Sequence, residues 1–254
     1  MDSFIRFAAE KNIPHTLSSN DIKVIHEDKK GTLWFGSVSG LDTLENTNED
    51  KFKFGYIPQT ERFPDRHIKA LLEDKAGNFW IGTEKKGVFF WNRQTDEIKS
   101  YETSINKNTI SNNNVREMIW GKDEHIWIGT FKGLNRLSPS QQKFEHFFHN
   151  PSISTSLSHS SVRSVFMDER NSLWVGTYFG GISFLDEKNN RFTNIKQHQN
   201  SISNNIVSCF VEDKAGNWWI GTEGGGLNFY NPKTKIFNLN KIFITKSNPS
   251  NIIS

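Results

Sequence analysis

The sequence predicts an all-β protein built from copies of one four-stranded unit, and three observations support this. A Trp–apolar–Gly–Thr or Ser block occurs five times, at intervals of 46, 47, 47 and 45 residues. Flanking positions recur with the block. The apolar runs are short, rich in Val, Ile, Phe and Trp, and bounded by Gly, Asn, Asp or Pro, as strands are. A period of about 40–50 residues with four strands per unit is typical of the blades of a β-propeller.

The first strand of each unit, strand A, begins at an apolar residue twelve positions before the Trp. These residues are Ile22, Ile68, Val115, Val162 and Val207. A turn then joins strand A to strand B, and in four units it carries an Asp six positions before the Trp. An Asp can bond its own backbone, and a Gly in such a turn accepts a positive φ. The third unit has Gly121 and Glu124 at the Asp and Gly positions, so we expect its turn to differ in shape.

Strand B holds the Trp–apolar–Gly–Thr block, and each residue type suggests a structural role. The five Trp side chains should pack one unit on the next; they are Trp34, Trp80, Trp127, Trp174 and Trp219. The Gly two positions later permits close backbone approach or a bend; these are Gly36, Gly82, Gly129, Gly176 and Gly221. The hydroxyl that follows can satisfy backbone groups at the end of the strand.

Strands C and D complete each unit. Strand C begins at a Gly–apolar pair after the block, and strand D is a short Phe- or Ile-led run after a polar turn. The predicted blades are 22–56, 68–101, 115–148, 162–195 and 207–239. Residues 4–7 resemble a strand D, so 1–21 are predicted as the end of a preceding blade plus a linker, and 240–254 as a linker into a following blade. The prediction is therefore one propeller domain with five full blades and partial blades at both ends, a fragment of a longer array.

Composition excludes several function classes. The net charge is +3, too small to indicate a nucleic-acid partner, and the sequence offers no apolar run long enough to insert into a membrane. The eight His residues share no repeat position, so no metal site and no cofactor are predicted. A single cysteine, Cys209, excludes an internal disulfide framework; its place in strand A of the fifth unit suggests a buried small apolar residue.

The units resemble the two-component regulator propeller repeat. That unit reads approximately as apolar-Arg-x-x-apolar-x-x-Asp-x-x-Gly-x-Leu-Trp-Ile-Gly-Thr-x-x-Gly-Leu, which Val162 to Ile182 and Ile68 to Val88 follow closely. The resemblance implies the periplasmic sensor region of a bacterial hybrid histidine kinase, of a kind that responds to breakdown products of complex carbohydrates. It also implies a seven-bladed parent propeller, with further blades and signalling domains of the same protein as partners.

Strand A also supplies candidate ligand-binding residues. A cation stands eleven positions before the Trp in four units, at Lys23, Lys69, Arg116 and Arg163, where strand A begins. The loops between strands B and C surround the same end and add Glu84, Phe131, Tyr178, Phe179 and Glu223. Together they suggest a basic, aromatic-rimmed mouth for a small molecule or an anionic or hydroxyl-rich oligosaccharide. The alternative is a ring of solvated cations balanced by Glu27, Glu73 and Glu212.

Three functions remain open at this stage. The first is a non-catalytic sensor module that binds a carbohydrate-derived ligand. The second is a protein-interaction or dimerisation scaffold, including a homodimer. The third is a propeller lyase or hydrolase, which ranks last because the sequence shows no distinctive His–Glu or paired-carboxylate constellation confined to one unit.

Overall fold

Twenty strands form five four-stranded antiparallel sheets in the computed structural model, which describes residues 5–46, 52–105, 108–186 and 188–238. Each sheet takes four strands that are consecutive in the chain, so each repeat unit is one blade. The predicted all-β propeller fold with five full blades is confirmed. The described residues otherwise contain two short 3-10 helices, Pro58–Arg62 and Lys122–Glu124.

The strands, numbered β1 to β20 in chain order, lie as follows. Blade 1 consists of β1 Ile22–Glu27, β2 Leu33–Ser37, β3 Gly40–Asn46 and β4 Phe52–Tyr56. Blade 2 consists of β5 Ile68–Glu73, β6 Phe79–Thr83, β7 Val88–Trp91 and β8 Ile98–Tyr101. Blade 3 consists of β9 Val115–Trp120, β10 Ile126–Thr130, β11 Gly133–Ser138 and β12 Lys143–Phe147. Blade 4 consists of β13 Val162–Met167, β14 Leu173–Thr177, β15 Ile182–Asp186 and β16 Arg191–Ile195. Blade 5 consists of β17 Val207–Glu212, β18 Trp218–Thr222, β19 Gly226–Asn231 and β20 Ile236–Asn238.

The chain divides into two compact units, Met1–Met118 and Ile119–Ser254. The first unit holds blades 1 and 2, and the second holds blades 4 and 5 with most of blade 3. Strand β9 spans the division.

The turn between strands A and B is built around its Asp. In blade 4, Asp168 Oδ1 accepts hydrogen bonds from the backbone N–H groups of Arg170 (3.0 Å) and Ser172 (2.7 Å). Its other oxygen accepts one from the indole Nε1 of Trp174 at 3.2 Å. Asp28 does the same in blade 1. One carboxylate therefore closes the turn and fixes the indole of the following strand.

The third turn has a different shape, as predicted. The 3-10 helix Lys122–Glu124 replaces the Asp-centred turn, and Glu124 takes a positive φ of 61°. A Cβ on Gly121 would lie 2.6 Å from the indole Nε1 of Trp127, so an Asp at this position would require the indole to move. The guanidinium of Arg136 lies over the Trp127 ring instead, 5.5 Å from its centroid.

The Gly of the repeat block is the point where the next blade comes closest. A Cβ on Gly36 would lie 2.8 Å from Cγ2 of Ile68, the first residue of the next strand A. A Cβ on Gly176 would likewise lie 2.8 Å from Cγ1 of Val207. A Cβ at Gly36 or Gly176 would therefore displace atoms of its own strand A and of the next blade.

The Trp of the block packs against aromatic side chains of the next blade. The Trp34 ring meets Phe79 edge-on at 4.8 Å between centroids, and Trp174 meets Trp218 at 4.1 Å. Trp34 and Trp174 are 4% and 7% exposed. These contacts join successive blades within a unit through one apolar core.

The Ser- and Asn-rich segments between blades are anchored crossovers. In blade 4, the Ser183 hydroxyl lies 2.8 Å from that of Ser158, whose backbone N–H donates to Ser183 Oγ at 3.0 Å. The equivalent Ser203 donates its N–H to Asn228 Oδ1 at 2.8 Å, and its hydroxyl lies 2.9 Å from that of Thr222. Buried polar groups thus hold each crossover against its own blade.

Residues 5–7 of the predicted strand 4–7 are not paired as a strand, and their assignment to a preceding blade stays a prediction. Residues 5–10 lie in no strand, because a strand requires a neighbouring strand to receive its hydrogen bonds. The ring of Phe7 packs edge-on against Phe52 and Phe54 instead, at 5.2 Å from each. The predicted C-terminal linker, 240–254, and Phe4 lie outside the described residues.

Candidate functional site

The candidate cations of strand A lie in β-bulges. The pairing of strands A and B shifts register between Ile22 and Val24, and again between Ile68 and Ala70 and between Val162 and Ser164. The extra residues are Lys23, Lys69 and Arg163; in blade 5 the equivalent residue is Ser208. A bulge redirects one side chain and leaves it out of the strand pairing. The fold therefore presents these side chains at the start of strand A, beside the loop that joins strands B and C.

In the first unit, the bulge cations are held by nearby carboxylates. Lys69 Nζ lies 3.1 Å from Glu84 Oε2, and Asn114 Nδ2 donates to Glu84 Oε1 at 2.8 Å. Burial raises the pKa of Glu84, but the hydrogen bond and charge of Lys69, together with Asn114, hold it below its usual value. Glu84 is therefore a fixed carboxylate between two blades.

Lys23 has a different partner, close to it in the chain. Its Nζ lies 2.6 Å from Asp21 Oδ1. The hydrogen bond from Lys23 is the main reason that the pKa of Asp21 lies below its usual value, with smaller contributions from the charges of His67 and Lys69. Asp21 and Glu84 are therefore the carboxylates that pair with Lys23 and Lys69.

The second unit brings a different set together, the Arg163 rim, which comprises His159, Arg163, Tyr178, Phe179 and Glu223. Arg163 Nη1 donates to Glu223 Oε2 at 2.5 Å. The Arg163 guanidinium carbon lies 5.6 Å from the centroid of the Tyr178 ring. The rings of Tyr178 and Phe179 meet edge-on at 4.5 Å. Tyr178 is 38% exposed and Phe179 58% exposed, so a cation and two open aromatic faces share one surface.

Backbone hydrogen bonds hold the loops of the Arg163 rim in place. The N–H of Tyr178 donates to the carbonyl of Ser161 at 3.0 Å. The N–H of Glu223 donates to the carbonyl of Ile206 at 2.9 Å. Three glycines follow Glu223, and Gly224 and Gly226 have φ values of 75° and 76°. The backbone of Glu223 is therefore anchored, while its half-exposed side chain reaches across from blade 5 to blade 4.

His159 is a member of the rim that the repeat pattern did not indicate. Its ring lies 5.8 Å from that of Phe179, and its Nδ1 accepts the Ser161 N–H at 3.1 Å. Burial lowers the pKa of His159, and the neighbouring His149 adds to this. The His149 ring stacks at 6.4 Å, with its Nδ1–H bound to the carbonyl of Leu157 at 2.8 Å. Neither His recurs in the repeat, so only proximity in the fold could reveal them.

Phe131 and Arg116 are the two remaining candidates. Phe131 follows β10 and is 56% exposed. Arg116 is the second residue of β9 and is partly buried. The sequence pattern predicts both beside the other candidates, and this stays a prediction.

Two further expectations are corrected. Glu73 and Glu212 do not balance the bulge cations, because they lie at the opposite end of strand A, as does Glu27. There Glu73 accepts the N–H of Lys29 at 2.9 Å, and Glu212 accepts that of Glu169 at 3.2 Å. Cys209 is exposed rather than buried, since it faces outward from the last described blade.

Four stretches of the chain match a known protein family model. Residues 16–39, 62–85, 156–179 and 201–224 match the family model described as "Two component regulator propeller". These stretches cover the start of blades 1, 2, 4 and 5. The equivalent part of blade 3, which carries Gly121 and the altered turn, lies outside them.

The chain is similar to solved domains of two-component systems and to one curated histidine kinase. The extracellular domain of BT3049 of B. thetaiotaomicron, assigned as a hybrid two component system, aligns with 25% identity and a TM-score of 0.72, over 87% of this chain and 30% of that one. The corresponding domain of BT4673 aligns with 21% identity and a TM-score of 0.61, over 92% and 34%. Histidine kinase P4 of Formosa agariphila is 28% identical over 138 residues, which are 52% of this chain and 10% of that protein.

A lyase shares the fold but little sequence. Virginiamycin B lyase of Staphylococcus aureus aligns with 13% identity and a TM-score of 0.63, over 88% of this chain and 71% of that one. This likeness concerns the fold alone.

Within the described residues there is no helix with the length and apolar character needed to cross a bilayer.

Proposed function

Because the chain carries two-component regulator propeller repeats, we propose that it is the non-catalytic ligand-sensing module of a two-component receptor. Its ligand is derived from a carbohydrate, and it acts on the periplasmic side of the membrane. Two of the similar solved structures are extracellular domains of two-component systems, and the chain spans about a third of their length. The remaining blades and signalling domains of the parent protein are the proposed partners.

The Arg163 rim is the observation that carries this proposal. Tyr178 and Phe179 offer exposed apolar faces on which the C–H face of a sugar ring can lie. Arg163 and Glu223 border the same surface and supply donors and acceptors for hydroxyl or acidic groups. Binding sites for small molecules commonly combine an apolar surface with a few fixed polar groups in this way.

Titration of a panel of neutral and acidic oligosaccharides tests the proposal, with calorimetry as the readout. We expect Tyr178→Ala with Phe179→Ala to lower the affinity for a bound oligosaccharide at least tenfold, because the stacking surface is removed. Tyr56→Ala is the matched control, since Tyr56 is 37% exposed but lies in blade 1. An oligosaccharide that binds wild type and both variants equally well would place the site elsewhere.

A protein-interaction scaffold is the second candidate, and the outer face of blade 5 favours it. This face comprises Cys209, Val211 and Trp219. Val211 is 58% exposed and Cys209 is exposed, so side chains of strand β17 reach the surface on this face. The molecular mass in solution across a concentration series distinguishes a scaffold that self-associates from a monomeric sensor.

A further inference from the structure

The geometry points to Glu223 as a built-in carboxylate that occupies the anion site of Arg163 until an acidic ligand replaces it. We infer from this that the Arg163 rim selects a ring-shaped ligand bearing a carboxylate. This inference rests on the proposed function and specifies the ligand class of the same site. Three features of the Arg163 rim support it.

The first feature is the position of Arg163 between an aromatic ring and a carboxylate. Its guanidinium carbon lies 5.6 Å from the Tyr178 ring centroid while Nη1 donates to Glu223 Oε2. A guanidinium binds a planar carboxylate in a fork of parallel N–H donors, so Glu223 already shows which chemical group fits there. The side chain of Arg163 is 33% exposed, and a ligand can approach it from solvent.

The second feature is the attachment of Glu223. Its carboxylate comes from the loop between β18 and β19 of blade 5, whereas Arg163 belongs to blade 4. The Glu223 side chain is half exposed, and only its backbone N–H is tied to the crossover, through Ile206. The carboxylate can therefore swing away without disturbing strand pairing, at the small cost typical of an exposed ion pair.

The third feature is the surface beside the ion pair. Phe179 is 58% exposed and lies against Tyr178 and His159. A carboxylate that replaced that of Glu223 would place its attached ring over these aromatic faces. A free inorganic anion could use Arg163 but not this apolar surface, so the rim favours an acid carried on a ring.

A similar ion pair elsewhere in the second unit provides a matched control. Arg136 Nη2 lies 2.5 Å from Glu145 Oε2, and its guanidinium lies 5.5 Å from the Trp127 ring. Arg136 and Glu145 face each other across paired strands of one sheet. This pair has the same chemistry as Arg163–Glu223, but strand pairing fixes both partners.

The experiment compares Glu223→Gln with Glu145→Gln, using digalacturonate and trigalacturonate as acidic probes and the matching galactose oligomers as neutral ones. Removing the competing charge of Glu223 should tighten binding of the acidic probes about tenfold and leave the neutral probes within about twofold. Glu145→Gln should change neither. Arg163→Met should abolish the preference for acidic probes.

The outcomes separate this inference from the proposed function. If Glu223→Gln binds no acidic probe, or tightens acidic and neutral probes alike, Glu223 does not compete for an acid site and the inference is overturned. If neutral oligosaccharides nevertheless bind in a manner that depends on Tyr178 and Phe179, the sensing proposal stands without it. If no oligosaccharide binds wild type or Glu223→Gln, both are overturned.

Discussion

The two faces of blade 5 are built from residues of the same repeat, but their surroundings differ. One face packs against blade 4, and the other is open to solvent. On the inner face, Phe210 and Trp218 pack against Phe166 and Trp174 of blade 4, with ring centroids 5.8 Å and 4.1 Å apart. On the outer face, Val211 is 58% exposed and Trp219 is only partly buried. Trp219 stands at the same repeat position as Trp174. Its burial therefore depends on a following blade, and not on its own sheet.

This difference shows what the repeat block contributes. Within a blade, Trp219 contacts its strand neighbour Phe229 at 5.1 Å, much as Trp174 contacts Phe184 at 4.7 Å. Only Trp174 also meets aromatic rings of the next blade. The stabilisation by this Trp is therefore a nearest-neighbour term, as in other repeat proteins. Paired substitutions in blades 4 and 5 measure that term directly.

The largest effect should come from the Trp pair. Trp174→Ala should lower the free energy of unfolding by about 3–5 kcal/mol, because it empties the centre of the interface between blades 4 and 5. Trp219→Ala should cost no more than about 1–2 kcal/mol, since that ring already contacts solvent. Urea unfolding followed by fluorescence measures both. Equal losses would mean that Trp219 is covered in solution.

The Gly pair should show a smaller difference of the same sign. In Gly176→Ala the new Cβ would meet Ser164 Oγ at 2.2 Å and the Val207 carbonyl at 3.0 Å, so the variant should lose about 1–3 kcal/mol. In Gly221→Ala the nearest atom is Cys209 Sγ at 2.6 Å, on an exposed side chain that can rotate away. We expect this variant to lose less than about 1 kcal/mol. Thermal unfolding of the two proteins under identical conditions is a sufficient test, and a reversed order would contradict the role assigned to Gly176.

The Asp pair should show the smallest difference, and it depends on pH. Burial raises the pKa of Asp28, but the bonds from Trp34, the turn backbone and Arg93 of blade 2 hold it below 3.8. The resulting stabilisation is complete above about pH 4 and is lost as the pH falls through the lower, folded-state value. Asp28→Asn should cost about 1–2 kcal/mol at neutral pH, and the loss should disappear in acid.

Asp213→Asn is the control for this prediction. The pKa of Asp213 is also lowered, mainly by the backbone N–H of Asn217, but the bonds come from its own turn and strand. We expect a smaller loss than for Asp28→Asn at neutral pH. Unfolding free energies measured along a pH series compare the two, and identical profiles would deny any contribution from Arg93.

Much of the fold could be predicted because the repeat fixes it locally. Trp, Gly, Thr and Asp recur at constant spacing, and each acts mainly on its own blade or the next one. Even the irregular third turn was indicated by Gly121 and Glu124. Residues 5–7 form an isolated apolar run that resembles a strand, but they pair with no strand in the described part of the chain. Exposure of Cys209 was missed for a similar reason, since strand position alone does not show whether a neighbouring blade covers it.

The candidate site was predicted less completely. The spacing identified Lys69, Arg163 and the loop residues near them, yet it assigned the counter-ions to the wrong end of strand A. The bulge that redirects Arg163 depends on strand register, which the repeat does not specify. His159 belongs to a crossover whose composition varies between blades, so no periodic signal could reveal it.

In blades 1 and 4 the hydrogen bond between Asp and Trp provides a local probe of blade opening. The indole N–H groups of Trp34 and Trp174 donate to Asp28 and Asp168, at 3.0 and 3.2 Å, in buried surroundings. Such protons exchange with deuterium only when their turn opens. In a nuclear magnetic resonance spectrum the two side-chain signals would therefore time the opening of blades 1 and 4 separately, in one sample and without labels.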